Sequence, residues 1–335
     1  MKKCLALYLA AVLILAAFAG CSPSTPSASP AEPGEATGRP LARLLLGTSS
    51  VGGTYYVWGA GWSKIMNENV QNVDCSVEVT GGPNTNMQLI QQDEMELGFV
   101  TTWLGGEGWS GTGWTGGTKY DKMRGMFATY YSVLYIYTLE GSGIESVYDF
   151  EGKNIAVGSP GATSDLAGRA LLEILGINAK SVTSLPTDGQ ISGLKDGTID
   201  ACFSITGIPG PFMLELETTH NVKHIGLTDE DFDKILAAQP YWSKNVIPAN
   251  TFKNQPEDVP VCAFWNMMVC HKDMEDDLVY DLVKTTFEQN EALIAVDPTA
   301  AMTVPEAVGN CVVPLHPGAL RYYEEAGVTV PDSLK

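Results

Sequence analysis

The sequence predicts an α/β fold of two lobes, in which strands alternate with helices. Residues 44–101 read as β-α-β-α-β, and residues 154–207 repeat that pattern. Two longer apolar stretches, residues 124–138 and 259–269, read as strands that cross between the lobes. Open α/β sheets bind ligands at the carboxyl ends of their strands, so we expect a ligand cleft between the lobes.

The first unit opens with an apolar strand at residues 44–46, then a loop rich in glycine and hydroxyl groups, then a helix over residues 55–66. A helix that starts in such a loop presents unpaired backbone N–H groups and a positive helix end, which favour an anion. The other interpretation is a tight turn that only packs the helix on the sheet. The unit continues with strands at 75–80 and 96–101 around a helix at 87–92.

The second unit has strands at 154–158, 181–185 and 199–205, with helices at 166–175 and 189–195. Its first helix also follows a loop rich in glycine and hydroxyl groups. Two such helix starts that face each other across a cleft are better explained by a shared ligand than one would be.

Residues 103–117 are too rich in glycine for a regular element and too aromatic for a linker. Their tryptophans either line the cleft or anchor a surface loop on the first lobe. Further helices are predicted at 229–236, 276–293 and 321–327.

The N-terminus predicts export. Residues 1–20 combine two lysines with an apolar run typical of a signal peptide, and they end at a lipobox-like sequence before Cys21. We expect cleavage before Cys21, a lipid on its thiol, and a flexible tether over residues 21–43. The protein would then lie in the periplasm or on the outer face of the cytoplasmic membrane.

The formal net charge of −19 argues against nucleic acid as a partner. Outside the signal peptide and the lipid site, five cysteines remain, so at least one is free or pairs outside the chain. Their disulfide pairing stays open: Cys75, Cys202, Cys262, Cys270 and Cys311.

No pattern indicates an enzyme, a metal site or a cofactor. The sequence has no G-x-S-x-G elbow and no HExxH, and it contains only four histidines. His220 and His224 are four residues apart but lack the glutamate of a zincin, so we expect a surface pair. We therefore expect no catalytic residues.

Several motifs resemble the TAXI family, the solute-binding proteins of a subset of TRAP transporters. The first is G-T-S-S-V-G-G-T-Y-Y at residues 47–56, and the second is T-G-G-P-N-T-N at 80–86. Others follow in the family's order: S-G-I-E-S-V-Y-D-F-E-G-K at 142–153, G-S-P-G-A-T at 158–163, D-G-T-I-D-A-C-F at 196–203 and I-P-A-N-T at 247–251.

The resemblance implies a type II periplasmic-binding-protein fold, with residues 44–132 and 263–335 in the first lobe and 133–262 in the second. It implies that a monomer captures a small anionic acid, such as glutamate or 2-oxoglutarate, by hinge closure and delivers it to a TRAP membrane permease. Pro83, Ala162 and Trp58 depart from the family pattern, which suggests a bulkier or more apolar acid. The alternative function is a ligand sensor that signals to a membrane receptor.

The predicted ligand-binding residues lie in the loops at the strand ends, with three aromatic side chains added as wall candidates. Asn84 has a second interpretation as a helix cap, and Arg169 is expected to be structural. The first lobe supplies Thr48, Ser49, Gly53, Thr54, Tyr55, Thr80, Asn84, Asn86, Trp103 and Tyr130, and the second supplies Ser159, Gly161, Ala162, Thr163, Ser164, Thr206, Gly207 and Tyr241.

Overall fold

The computed structural model describes residues 39–239 and 241–335. The predicted signal peptide, the lipid site at Cys21 and the tether up to residue 38 lie outside the described residues. Within the described residues, every helix is too short or too polar to cross a membrane.

The N-terminal part of the described chain alternates strands and helices as predicted, because apolar runs are separated by glycine-rich turns. Its elements are β1 (Ala42–Gly47), α1 (Thr54–Asn69), β2 (Val73–Glu78), α2 (Pro83–Gln91), β3 (Leu97–Thr101), α3 (Thr102–Ser110) and the long strand β4 (Met123–Leu139).

The second predicted β-α-β-α-β unit is also present, and further helices and strands follow it. The unit comprises β5 (Asn154–Val157), α4 (Thr163–Leu175), β6 (Ser181–Ser184), α5 (Thr187–Lys195) and β7 (Ala201–Thr206). After it come α6 (Pro211–Leu216), β8 (Val222–His224), α7 (Asp229–Ala238), β9 (Ser243–Ile247), β10 (Val259–His271), α8 (Asp276–Glu288), α9 (Asn290–Val296) and α10 (Pro317–Glu325).

One sheet runs through both lobes in the order β2-β1-β3-β10-β4-β7-β5-β6. The two predicted crossing strands, β4 and β10, lie side by side in its middle and pair antiparallel with each other. Strands β1–β3 lie on one side of this pair and β5–β7 on the other, and we call these sides the first and second lobe. The predicted lobe boundaries fall inside β4 and β10 and stay a prediction.

The largest buried side chains attach the helices to this sheet. Trp58 and Trp62 of α1 are fully buried, and the indole of Trp62 donates to Thr286 Oγ1 of α8 at 2.7 Å. Because α8 follows β10, this contact ties the C-terminal part of the chain to the first lobe.

Residues 102–110 form a helix, which corrects the expectation of an irregular loop. Thr101 caps it, and its glycines allow close packing on the sheet. A Cβ at Gly105 would lie 2.8 Å from Met267 Cε, and one at Gly108 would lie 2.7 Å from Met87 Sδ. The glycine content that argued against an element is therefore what lets this helix fit.

Two other predictions need correction. The single helix predicted over 276–293 is two helices, α8 and α9, separated at Gln289, whose backbone leaves the helical region (φ −105°, ψ 19°). His224 is not a surface residue, since its ring stacks on Phe252 at 4.8 Å between centroids.

All five cysteines in the described part of the chain are buried and free: Cys75, Cys202, Cys262, Cys270 and Cys311. Burial raises the pKa of the thiols, to about 11 for Cys75 and about 12 for Cys262 and Cys311. These cysteines are therefore small apolar core residues with little thiolate character.

Candidate functional site

A cavity of about 70 Å³ lies between the lobes, where the carboxyl ends of β1 and β3 meet those of β5 and β7. Most of its wall consists of hydroxyl-bearing side chains and glycine. The lining residues are Ser49, Ser50, Gly53, Thr54, Tyr55, Gly81, Gly82, Pro83, Thr101, Tyr130, Ser132, Gly158, Ser159, Ala162, Thr163, Ser164, Thr187, Gln190, Ser204, Ile205, Thr206 and Phe212.

The loop after β1 forms the first wall. Gly52 takes a positive φ of 83°, which the turn requires and which a side chain would resist. Gly53 is the N-cap of α1. Ser49, Gly53 and Thr54, all predicted as ligand-binding residues, line the cavity here.

Thr48, Thr80 and Asn86, which were predicted at the ligand, brace this loop from behind instead of lining the cavity. Asn86 Nδ2 lies 3.1 Å from Gly47 O, 3.0 Å from Thr48 O and 2.9 Å from Phe99 O. Thr80 Oγ1 lies 2.7 Å from Asn86 Oδ1, and Thr48 Oγ1 donates to Glu78 O at 2.7 Å. These bonds fix the ends of β1, β2 and β3 relative to one another.

The loop after β5 forms the opposite wall. Position 158 requires glycine because a Cβ there would lie 1.8 Å from Ser164 Oγ. Gly161 has a φ of 75°, and its N–H donates to Asp165 Oδ2 at 2.9 Å. This turn leaves Gly161 outside the lining and brings the predicted residues Ser159, Ala162, Thr163 and Ser164 to the cavity.

Four helices of nine residues or more begin at the cavity wall. The first residues of α1, α2, α4 and α5 are Thr54, Pro83, Thr163 and Thr187, and all four line the cavity. None of these four helix starts has a side-chain cap. The first residue of α2 is a proline without an N–H, and the N–H of Thr54 donates to Thr206 Oγ1. The other N–H groups in the first turns lack intrahelical acceptors, and all four helix dipoles place positive potential at the cavity, so the wall favours an anion.

Two tyrosines line the cavity, and of these only Tyr130 has an uncommitted hydroxyl among the described residues. Tyr55 OH donates to Asn266 Oδ1 at 2.5 Å, and Asn266 Nδ2 donates to Tyr130 O at 2.8 Å. Tyr130 is fully buried, lines the cavity, and has a hydroxyl with no hydrogen-bond partner among the described residues. Burial raises the pKa of both phenols well above the usual value, so both stay protonated as donors.

Hydroxyl groups connect the lobes directly around the cavity. Thr54 Oγ1 lies 2.8 Å from Thr206 Oγ1, which also accepts from Thr54 N at 3.2 Å, and Gly207 N donates to Thr54 Oγ1 at 3.2 Å. Thr101 Oγ1 and Thr163 Oγ1 are 3.3 Å apart. The structure is therefore a closed form in which the two lobes touch.

The remaining predicted residues lie outside the lining. Trp103 packs between Trp242 and Phe264 and donates to Glu107 Oε1 at 2.9 Å, so it anchors α3 to the sheet. Tyr241 is 46% exposed. Gly207 does not line the cavity, and its N–H donates to Thr54 Oγ1.

Two further predictions concern Asn84 and Arg169. Asn84 is buried beside the cavity but does not line it, and the N-cap of α2 is Gly82, which corrects the interpretation of Asn84 as a cap. Arg169 pairs with Asp165 at 2.8 Å and holds the start of α4, in agreement with the expected structural role.

Sequence reasoning missed lining residues on both lobes. Thr187 occupies the same place at the start of α5 as Thr163 does at α4, so the pattern that revealed Thr163 could have revealed it. Ser132, Gln190 and Ser204 lie on elements whose facing side depends on tertiary packing, and no local pattern marks them.

The solved structures that resemble this chain include periplasmic binding proteins. The periplasmic binding protein BugD aligns with a TM-score of 0.53 and 14% identity, covering 86% of this chain and 99% of its own. A periplasmic transporter aligns with a TM-score of 0.49 and 14% identity over 85% and 92%, and a protein from Bordetella bronchiseptica with 0.48 and 15% over 87% and 90%. The similarity to BugD confirms the predicted two-lobed periplasmic-binding-protein fold. Residues 46–327 match the model of the NMT1-like family, and the chain belongs to this family.

Proposed function

We propose that this protein is an extracytoplasmic solute-binding protein that captures a small organic acid and delivers it to a membrane permease of the TRAP type. The observation that supports it best is the set of four uncapped helix starts around one hydroxyl-lined cavity. The sequence resemblance to TAXI proteins supports the permease class.

A carboxylate suits this wall because it can accept several hydrogen bonds at once. Backbone N–H groups in the first turns of α1 and α4, on opposite lobes, can donate to it, apart from the N–H of Thr54, which donates to Thr206 Oγ1. Tyr130 OH and the serine and threonine hydroxyls add donors. The chain's net negative charge acts at long range, where it is screened, whereas the helix ends act at contact.

Capture would proceed by closure of the lobes. An acid bound to one wall gains the second set of donors only when the lobes meet, so the ligand favours the closed form. The bonds of Thr54 with Thr206 and Gly207 add to the stability of that form. Binding without turnover is part of the proposal.

A lipid on Cys21 and the tether after it would hold the protein at the membrane beside the permease. A permease of the TRAP class predicts uptake driven by an ion gradient, and reconstitution of the two components in vesicles would test this assignment. An uptake that requires ATP hydrolysis would contradict it.

The ligand class is tested with protein made without residues 1–21. Native mass spectrometry reports a co-purified ligand, and calorimetric titration with a panel of small organic acids gives dissociation constants. We expect Tyr130→Phe to weaken the binding of the best acid roughly tenfold to a hundredfold, because it removes a donor to a charged group.

The matched control is Tyr323→Phe, which removes a buried hydroxyl that donates to Met126 O, away from the cavity. This variant should bind the acid like the unmodified protein. The proposal is wrong if no acid binds, or if an acid that binds is converted to a product.

A further inference from the structure

The chemistry of the cavity wall also selects among acids. Among the described residues that line the cavity, every side chain is uncharged, so no lysine, arginine, histidine, aspartate or glutamate touches the ligand space. The wall therefore distinguishes anionic from cationic ligands only by its oriented N–H and O–H groups. The four helix starts fix that sign as negative for the ligand.

An ammonium group would be poorly held in the same space. It is held best by a carboxylate, whereas this wall offers it only neutral hydroxyl and amide oxygens, so burying its charge there is costly. The α-ammonium of an amino acid lies next to its carboxylate, so it would sit where the helix starts place positive potential. That position combines electrostatic repulsion with desolvation.

Three acidic groups near the cavity do not line it, and one of them, Asp188 in the first turn of α5, is exposed. Asp165 accepts from Gly161 N and pairs with Arg169 at 2.8 Å. Asp297 contributes to the raised pKa of Tyr130, but it does not line the cavity, and its Oδ1 accepts two bonds from Thr299. Neither carboxylate lines the ligand space.

Tyr130 gives independent evidence that the ligand presents a hydrogen-bond acceptor to the cavity wall. Tyr130 lines the cavity, and its buried hydroxyl lacks an acceptor among the described residues. A buried donor without an acceptor is costly, and a carboxylate or carbonyl oxygen of a ligand would satisfy it. An ammonium group would not, because it only donates.

We infer that the cavity is specific for carboxylates without an ammonium group and rejects the amino acid of the same carbon skeleton. This inference rests on the proposed function, since it specifies the acid that the cavity captures. It favours 2-oxo acids and other deaminated acids over glutamate and its relatives.

The test is calorimetric titration with pairs that differ only in the oxo or amino group: pyruvate and alanine, 4-methyl-2-oxopentanoate and leucine, 2-oxoglutarate and glutamate. In any pair that binds, the oxo acid should bind about tenfold to a hundredfold more tightly, the cost of burying a polar group without its partner. An amino acid that binds as tightly as its oxo partner, or more tightly, overturns the inference and leaves acid capture intact. The absence of binding by any acid overturns both.

A charge variant gives a second readout. Thr187 lines the cavity at the first position of α5, where the helix end keeps a carboxylate ionised. Thr187→Glu adds a carboxylate to the wall, so it should shift the oxo-to-amino preference at least about tenfold toward the amino acid. Gln88→Glu makes the same change of charge on the exposed side of α2 and should leave the preference unchanged. Equal preferences in both variants would count against a charge-selective wall.

Discussion

Thr206 offers a direct test of how the lobes are held together. Its Oγ1 lies 2.8 Å from Thr54 Oγ1 and accepts from Thr54 N at 3.2 Å, and both threonines are buried. Thr206→Val has nearly the same shape but removes both hydrogen bonds. Thr206 also lines the cavity, so energy transfer measured without ligand isolates the change in the contact between the lobes.

The two hydrogen bonds contribute about 1 kcal/mol each, so the closed form should lose about 2 kcal/mol relative to the open form. That free energy corresponds to a roughly 30-fold change in the ratio of closed to open protein. Because the acid is held only by the closed form, its apparent dissociation constant should rise by up to about the same factor.

The assay combines calorimetric titration with fluorescence energy transfer between dyes placed on the two lobes. Thr138→Val is the matched control, since it removes a buried hydroxyl that donates to Asp200 O at 2.6 Å, far along β4. Unchanged affinity and unchanged energy transfer in Thr206→Val, with the control also unchanged, would refute the role given to this contact.

Two further predictions concern titration and thiol chemistry. Burial lowers the pKa of His224 to about 4, and neither ring nitrogen has a hydrogen-bond partner among the described residues. The unfolded chain therefore binds a proton at this ring more tightly than the folded protein does. The free energy of unfolding should fall by up to about 3 kcal/mol between pH 7 and pH 4, and His224→Phe should remove that part of the slope in urea titrations; an unchanged slope would contradict this. In protein made without residues 1–21, a thiol reagent should label none of the five cysteines when the protein is folded and all five in denaturant. Fast labelling of the folded protein would show that these cysteines are not buried.

Local patterns predicted most of the fold because strand, loop and helix signals agreed over short distances. The loop after β1 and the start of α4 were recognisable, and both line the cavity. The sequence could not show that residues 102–110 form a helix, because their glycines make room for side chains that are distant in the sequence, such as Met267. Tertiary packing overrode local propensity there.

The site was predicted less completely than the fold. Hydroxyl groups at strand ends are visible in the sequence, but whether one points at the ligand or braces the loop depends on its rotamer and neighbours. Thr48 and Thr54 have the same side chain six residues apart, yet Thr48 turns to Glu78 O and Thr54 faces Thr206. Gln190 reaches the cavity only because α5 packs beside β7, which no local signal reveals.

The central position of β10 bears on how the chain can fold. This strand lies between β3 and β4 and pairs antiparallel with both, although it begins at Val259, long after β3 ends at Thr101. Until residue 259 and those after it are available, the inner edges of β3 and β4 carry backbone groups without strand partners. Closing so long a loop is slow, so the sheet is completed only after β10 has paired with both strands. A chain of this topology has to be kept from aggregating through its open strand edges until nearly all of it has emerged.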